Sequence, residues 1–215
     1  MALMGPTSTV IRTPSSSVAR LGVFGGAFDP PHRAHVALAQ AALNELMLDE
    51  LRVFPTGQSW HKSQTSTAPE HRLAMARLAF GDLPRTVIDE REMRRPGPTY
   101  TIDTLRELKS QYPHASLFLV MGQDQAQSLG RWHEWQEILR MVTTCVAARP
   151  GTADSGAQGG WNLPEQATVH LLQLPSMSEN ATEIRERIAQ SRRIDHLVPA
   201  DVASYIAIHH LYEPF

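Results

Sequence analysis

Apolar and polar positions follow two regimes along this chain. Short apolar runs closed by Gly or Pro alternate with longer stretches in which apolar residues recur every three or four positions. The runs at 21–24, 50–55, 86–88, 117–121 and 141–148, and the alternating stretch 168–174, read as strands. Helical spacing predicts a helix from near 31 to near 48 (Ala34, Leu38, Ala41, Leu46) and another over 70–80 (Leu73, Ala76, Arg77, Phe80). Further helices are expected from Thr101 through Leu108, after Asn180, and after Pro199 towards Tyr212. Strand and helix in regular alternation favour the α/β class: a Rossmann-like, doubly wound parallel sheet flanked by helices, with right-handed crossovers. Ligands in such sheets bind beyond the carboxyl ends of the strands. The stretches 56–69, 94–101 and 152–166 are polar or rich in Gly and Pro and read as loops.

Candidate chemistry gathers at the first strand–helix junction, Gly25-Gly26-Ala27-Phe28-Asp29-Pro30-Pro31-His32-Arg33-Ala34-His35. The strand is expected to stop at Gly25-Gly26, where a turn or a close ligand approach meets no Cβ. Asp29 is expected to cap the helix, and Pro30 and Pro31 to fill its first turn. His32 and His35, three apart, share a face. Helix N–H groups, the positive dipole end and two imidazoles together describe an anion site and point to phosphate chemistry. A Gly-Gly pair alone is usually only a turn. The His pair would also suit a metal, although Glu45 is too far along and a third ligand would have to come from elsewhere.

A second constellation follows Asn180, where Asn180 and Glu183 have capping-box spacing and Thr182 and Arg185 fall on one face of the first turns. A hydroxyl and a guanidinium beside a helix N-terminus again suit an anion. Gly122-Gln123-Asp124 lies at a strand's carboxyl end, though such a triplet is ordinarily only a cap. Trp132 and Trp135, read as sharing a helix face, would ordinarily be core.

Composition narrows the classes. A chain of 215 residues, 42% hydrophobic and 20% charged, suits one sizeable globular domain, expected over 20–215. Residues 1–19, rich in Ser, Thr and Pro, read as a disordered leader and not a signal peptide. A net charge of −2 without a basic run offers no case for nucleic acid. No apolar stretch approaches the ~18 residues that span a bilayer. The single cysteine, Cys145, excludes an internal disulfide, fits a cytoplasmic setting, and reads as a buried inert thiol.

The 25–35 stretch resembles the signature Gly-Gly-(Ser/Thr)-Phe-Asp-Pro-x-His-x-Gly-His of the nucleotidyltransferases, and more narrowly of the bacterial nicotinate-mononucleotide adenylyltransferases. Ala27 stands for the usual Thr or Ser and Ala34 for the usual Gly. The resemblance continues through Trp60-His61-Lys62, Glu92 to Arg95 with Thr99-Tyr100-Thr101, Gly122-Gln123-Asp124, Trp132-His133-Glu134-Trp135, 178–185 and the C-terminal helix, covering about residues 20–212. It implies transfer of the adenylyl group of ATP to nicotinate mononucleotide, giving nicotinate adenine dinucleotide and pyrophosphate in NAD biosynthesis. It implies His32, His35 and Arg185 as catalytic residues. Gly25, Gly26, Ala27, Phe28, His35, Gly122, Asp124, Thr182 and Arg185 would bind ATP. His61, Lys62, Thr101, Trp132, His133 and Arg149 would bind the mononucleotide, with Trp132 stacked on its pyridine ring. Mg²⁺ would arrive with the ATP phosphates, without protein side-chain ligands. The alternatives are an adenylyltransferase for nicotinamide mononucleotide or phosphopantetheine, and a non-catalytic nucleotide-binding regulator. Oligomeric state stays open, a homo-oligomer included.

Overall fold

A computed structural model describes residues 18–59, 67–148, 167–175, 177 and 179–214. In chain order the elements are β1 Arg20–Gly26, α1 Arg33–Glu45, β2 Glu50–Pro55, β3 Gln58–Ser59, α2 Pro69–Phe80, β4 Thr86–Ile88, α3 Arg91–Arg94, β5 Pro98–Thr99 and α4 Thr101–Gln111. They continue with β6 Ser116–Met121, α5 Gln123–Ser128, a 3-10 turn Leu129–Arg131, α6 Trp135–Met141, β7 Val142–Ala148, β8 Val169–Gln173, α7 Ala181–Ala189 and α8 Ala200–Ile208. Six strands form one parallel sheet in the order β4-β2-β1-β6-β7-β8, and β3 pairs with β5 in a small separate sheet. The order reverses between β1 and β6, so a crevice is expected where their carboxyl ends diverge.

Both faces of the sheet are covered, which is why its strands are nearly continuously apolar. On one face Phe24, Val53, Phe118 and Val120 pack with α1, α2, α7 and α8 through Leu38, Met75, Ile184 and Val202. On the other, Leu21, Val23, Leu117 and Leu119 pack with α4, α5 and α6 through Ile102, Leu105, Ala126 and Ile138. Gly22 sits where α1 returns: a Cβ there would lie 2.5 Å from Leu48 and 2.7 Å from Leu51 side chains.

Several expectations are corrected. β1 does not stop at Gly25-Gly26 but runs through both, which pair with Phe54 and Pro55. The buried stripe of α2 is Arg72, Met75, Ala76, Ala79 and Phe80, while Arg77 is exposed. Met141 ends α6 and does not open β7. The stretch 94–101, read as a loop, takes in the last residue of α3 and the whole of β5. Trp132 and Trp135 do not share a helix, because Glu134 between them is left-handed at φ 52° and α6 starts only at Trp135. Of the expected leader, residues 1–17 lie outside the described residues. Ala19 is described, its N–H donating to Asp49 Oδ2 at 2.8 Å.

Candidate functional site

At the end of β1 the chain enters an unusual conformation. Phe28 is left-handed at φ 49°, a state that costs a non-glycine residue roughly 1–2 kcal/mol. Packing holds it there. Its ring is 2% exposed and meets Phe24, Phe80 and His35 edge-on at centroid distances of 5.4, 5.2 and 5.2 Å. This ring explains Gly26, where a Cβ would lie 2.9 Å from it, whereas a Cβ on Gly25 would meet nothing within 4 Å. Gly26→Ala should therefore cost about 1–3 kcal/mol by overpacking. Gly25→Ala should melt with the wild type in the same calorimetric scan, its methyl entering open space at the sheet's ligand end.

The segment that follows departs from expectation in its details. α1 starts at Arg33, so Pro30 and Pro31 precede the helix. Asp29 is not the cap. Its carboxylate accepts from Tyr212 Oη at 2.7 Å and from the Thr67 N–H at 3.2 Å. The N-cap is His32, whose N–H donates to His35 Nδ1 at 3.3 Å. The two imidazoles stack at 3.7 Å between centroids with planes 28° apart.

They are not a cationic pair. Burial pushes His32 from 6.5 down to about 4. His35 is held well below its ordinary value, first by burial and then by the neighbouring His32. Both are neutral at pH 7. Because His35 accepts at Nδ1, its proton sits on Nε2, which becomes a fixed donor. His32 Nδ1 is buried without a partner among the described residues. Buried polar atoms are nearly always paired, so this one has capacity left for a bound group or a water.

α7 brings the second constellation to the same place. Asn180 caps it, its Oδ1 accepting from the Glu183 N–H at 2.8 Å. Arg185 Nη2 donates to Thr182 Oγ1 at 3.2 Å, and Nη1 reaches the Asp29 carbonyl at 2.8 Å, 156 positions away in sequence. His32, His35, Thr182 and Arg185 thus border one end of the sheet. Gly122 and Asp124 follow β6 at that same end, across the order reversal; Gly122 is the N-cap of α5, and a Cβ on it would meet open space.

A second group assembles around the start of α4. Tyr100 is its N-cap and Thr101 its first residue, whose N–H is one of those a helix leaves without an internal acceptor. The Tyr100 and His133 rings lie 4.6 Å apart, so Thr101 and the Trp132-His133 segment are neighbours. Trp132 Nε1 donates to Ser128 Oγ at 3.4 Å. His61, Lys62 and Arg149 lie outside the described residues.

Four participants were not anticipated as site residues. Tyr212 and Arg72 tie distant segments to the 25–35 stretch, the latter through the Ala27 carbonyl. Gly57 admits the neighbouring backbone, since a Cβ there would fall 2.2 Å from the Glu92 carbonyl oxygen. Glu92 is buried, accepts from Thr104 Oγ1 at 2.8 Å, and through its carbonyl accepts from Thr99 Oγ1 at 3.4 Å. For Arg72 a signal existed: it stands three and four positions before Met75 and Ala76, on an otherwise apolar stripe.

Burial raises the Glu92 carboxyl from 4.5 to about 7, against the lowering effects of the Thr104 hydroxyl and Arg95. Between those values the folded chain keeps a proton that the unfolded chain has released. This part of the stability is therefore whole below pH 4.5 and is lost as pH rises through 7. Glu92→Gln imitates the protonated acid. It should match the wild type near pH 4.5 and exceed it by roughly 1–2 kcal/mol at pH 8 in denaturant titrations. His32 acts with the opposite sign, losing stability as pH falls from 6.5 to 4, but is common to both proteins and cancels.

Known proteins are similar to this chain. The cytidylyltransferase-like family model matches residues 23–194. A protein of Albidiferax ferrireducens named "Probable nicotinate-nucleotide adenylyltransferase" is 52% identical over 90% of this chain and 98% of its own. One of the same name from Methylibium petroleiphilum is 41% identical over 91% and 93%. In fold, the nicotinic acid mononucleotide adenylyltransferase of Plasmodium falciparum, solved with NaAD, superposes with a TM-score of 0.72 at 20% identity, covering 90% of this chain and 97% of that one. The chain belongs to the cytidylyltransferase-like family and, within it, to the nicotinate-nucleotide adenylyltransferases.

Proposed function

We propose that this enzyme performs adenylyl transfer with the residues gathered at the β1–β6 crevice. A phosphate oxygen of nicotinate mononucleotide attacks the α-phosphorus of ATP. The new P–O bond forms as the bond to the β-phosphate bridging oxygen breaks, releasing pyrophosphate and leaving nicotinate adenine dinucleotide. The nucleophile is already ionised at neutral pH, so no strong base is required. The protein's task is alignment of two anions and stabilisation of charge on the α-phosphoryl group and the departing pyrophosphate.

His35 Nε2–H is the donor to the α-phosphoryl oxygen, and His32 Nδ1 gains a partner when the triphosphate enters. Arg185 and Thr182 take the outer phosphates. Peptide groups of Gly25, Gly26, Ala27 and Phe28 line the triphosphate, and Gly122 and Asp124 the adenosine. The Thr101 N–H meets the nicotinate carboxylate, Trp132 stacks on the pyridine ring, and the His133 backbone faces the carboxylate. His61, Lys62 and Arg149 complete the mononucleotide side. Mg²⁺ enters as part of the substrate, offsetting triphosphate charge. Among the described residues no three His, Cys, Asp or Glu side chains gather as a resident metal would need. No helix among them is long and apolar enough to cross a membrane. Cys145, buried with its thiol pushed up to about 12, supports a structural role, and a chain with a single cysteine suits the cytoplasmic setting we assign it.

The observation that carries this reading is the convergence of Arg185 on the Asp29 carbonyl, three residues before the stacked histidines. It supports one grip on one triphosphate from both ends of the chain. The test incubates the protein with ATP, Mg²⁺ and, separately, nicotinate mononucleotide, nicotinamide mononucleotide and phosphopantetheine, and follows pyrophosphate. The nicotinate compound should give the highest kcat/KM. Pyrophosphate release with none of the three would leave only the regulator.

A further inference from the structure

We infer that Arg72 is a positioning residue for adenylyl transfer, holding the ATP-facing and mononucleotide-facing segments in register by gathering their backbone carbonyls onto one buried guanidinium. The inference rests on the site assignment above.

Arg72 stands on the inner stripe of α2 and is 2% exposed. Among the described residues its hydrogen-bond partners are all backbone oxygens. Nε donates to Thr67 O at 3.0 Å, Nη1 to Ala27 O at 3.1 Å and Thr56 O at 2.6 Å, and Nη2 to Gly57 O at 3.4 Å. These oxygens come from three separate stretches. Ala27 belongs to the signature after β1, Thr56 and Gly57 follow β2, and Thr67 precedes α2. Thr56 and Thr67 flank the stretch that carries His61 and Lys62. Burying a guanidinium this deeply is costly unless its donors are used, and a planar fork is the shape that can serve several acceptors in one layer. Burial lowers its pKa, while Asp29, Tyr212 and Glu70 favour the charged form.

The polarity of the arrangement has a consequence. In a trans peptide the N–H points opposite to the C=O. The only cis bond among the described residues is Asp29-Pro30. With the oxygens of Ala27 and Thr56 turned in to Arg72, the N–H groups of Phe28 and Gly57 are turned the other way. A buried cation behind the loops thus presents N–H groups in front of them, the polarity that an anionic substrate needs. It also couples the two loops. In-line displacement depends on the separation of two bound phosphates, and misplacement by 1 Å costs about 10²-fold.

The experiment compares the wild type with Arg72→Ala, Arg72→Gln and Arg72→Lys, each assayed for pyrophosphate release from ATP and nicotinate mononucleotide well below its own melting temperature. The expected result is a loss of about 10²-fold in kcat per folded molecule, with both KM values moving only a few-fold, because alignment and not affinity is lost. The Lys variant should recover little, since a compact ammonium cannot span four carbonyls. Millimolar guanidinium should restore part of the Ala variant's kcat and none to the wild type. A role in stability alone predicts a lower melting temperature with unchanged kcat, and that outcome overturns the inference. Where the Ala and Gln variants fail to fold, the Lys variant decides: wild-type kcat refutes the role and reduced kcat upholds it. A wild type that releases no pyrophosphate would strike at the site assignment instead, which keeps the two failures apart.

Discussion

Replacing His35 by alanine is expected to lower turnover about 10²–10⁴-fold while changing the KM for either substrate much less, as for loss of a donor that acts mainly in the transition state. The reasoning starts from burial. Phe24 and Phe28 lie 6.2 and 5.2 Å from the His35 ring, and His32 stacks against it. This environment keeps the imidazole neutral, and the His32 N–H fixes which nitrogen carries the proton. A neutral donor held in place needs no reorganisation as charge grows on the phosphoryl oxygens, and in a dry site it counts for more than in water. His35 should add no step of its own to kcat/KM near pH 6.5, so the shape of that profile, set there by the substrate phosphates with a second ionisation at about 6, should be the same in the wild type and in His35→Ala. The alanine variant also loses one cap bond and some aromatic packing, so turnover must be expressed per folded molecule, checked by circular dichroism. A variant with wild-type kcat would remove His35 from the chemistry.

How far the sequence could be read depended on the distance over which each cause acts. The strands stood out because burial on both faces leaves runs such as 117–121 almost wholly apolar. The capping by Asn180 and the shared face of Thr182 and Arg185 follow from helix spacing alone. Asp29 was misread because its true partners, Thr67 and Tyr212, are 38 and 183 positions away. That the histidines are neutral was not legible, because nothing local announces that Phe24 and Phe28 will meet the His35 ring. Trp132 and Trp135 have helical spacing, yet a left-handed Glu134 separates them, a backbone state that spacing does not encode. Arg72 shows the general difficulty. A charge on a helix reads as solvent-facing until the fold supplies a cluster of carbonyls that only a guanidinium can serve.

Thr101→Pro is expected to raise the KM for nicotinate mononucleotide roughly 10–100-fold and to erase the preference for the acid over the amide, with the fold intact. Thr101 is the first residue of α4, a position where proline is well tolerated because its missing N–H has no helical acceptor and its φ suits the helix. Tyr100 before it is extended at φ −117° and ψ 136°, which a following proline also prefers. The substitution therefore deletes the N–H and, with it, the side-chain hydroxyl, while leaving the helix in place. A hydrogen bond to a carboxylate is worth about 1.5–3 kcal/mol, and that sets the size of the effect. The amide substrate presents a neutral group in the same place and should be affected far less, so the ratio of the two kcat/KM values separates recognition from damage. Thr101→Val is the control, since it removes the hydroxyl and keeps the N–H. If the valine variant loses the preference together with the proline variant, the hydroxyl and not the helix N-terminus reads the carboxylate. If both variants keep it, discrimination lies with Trp132-His133 or with residues beyond this rim.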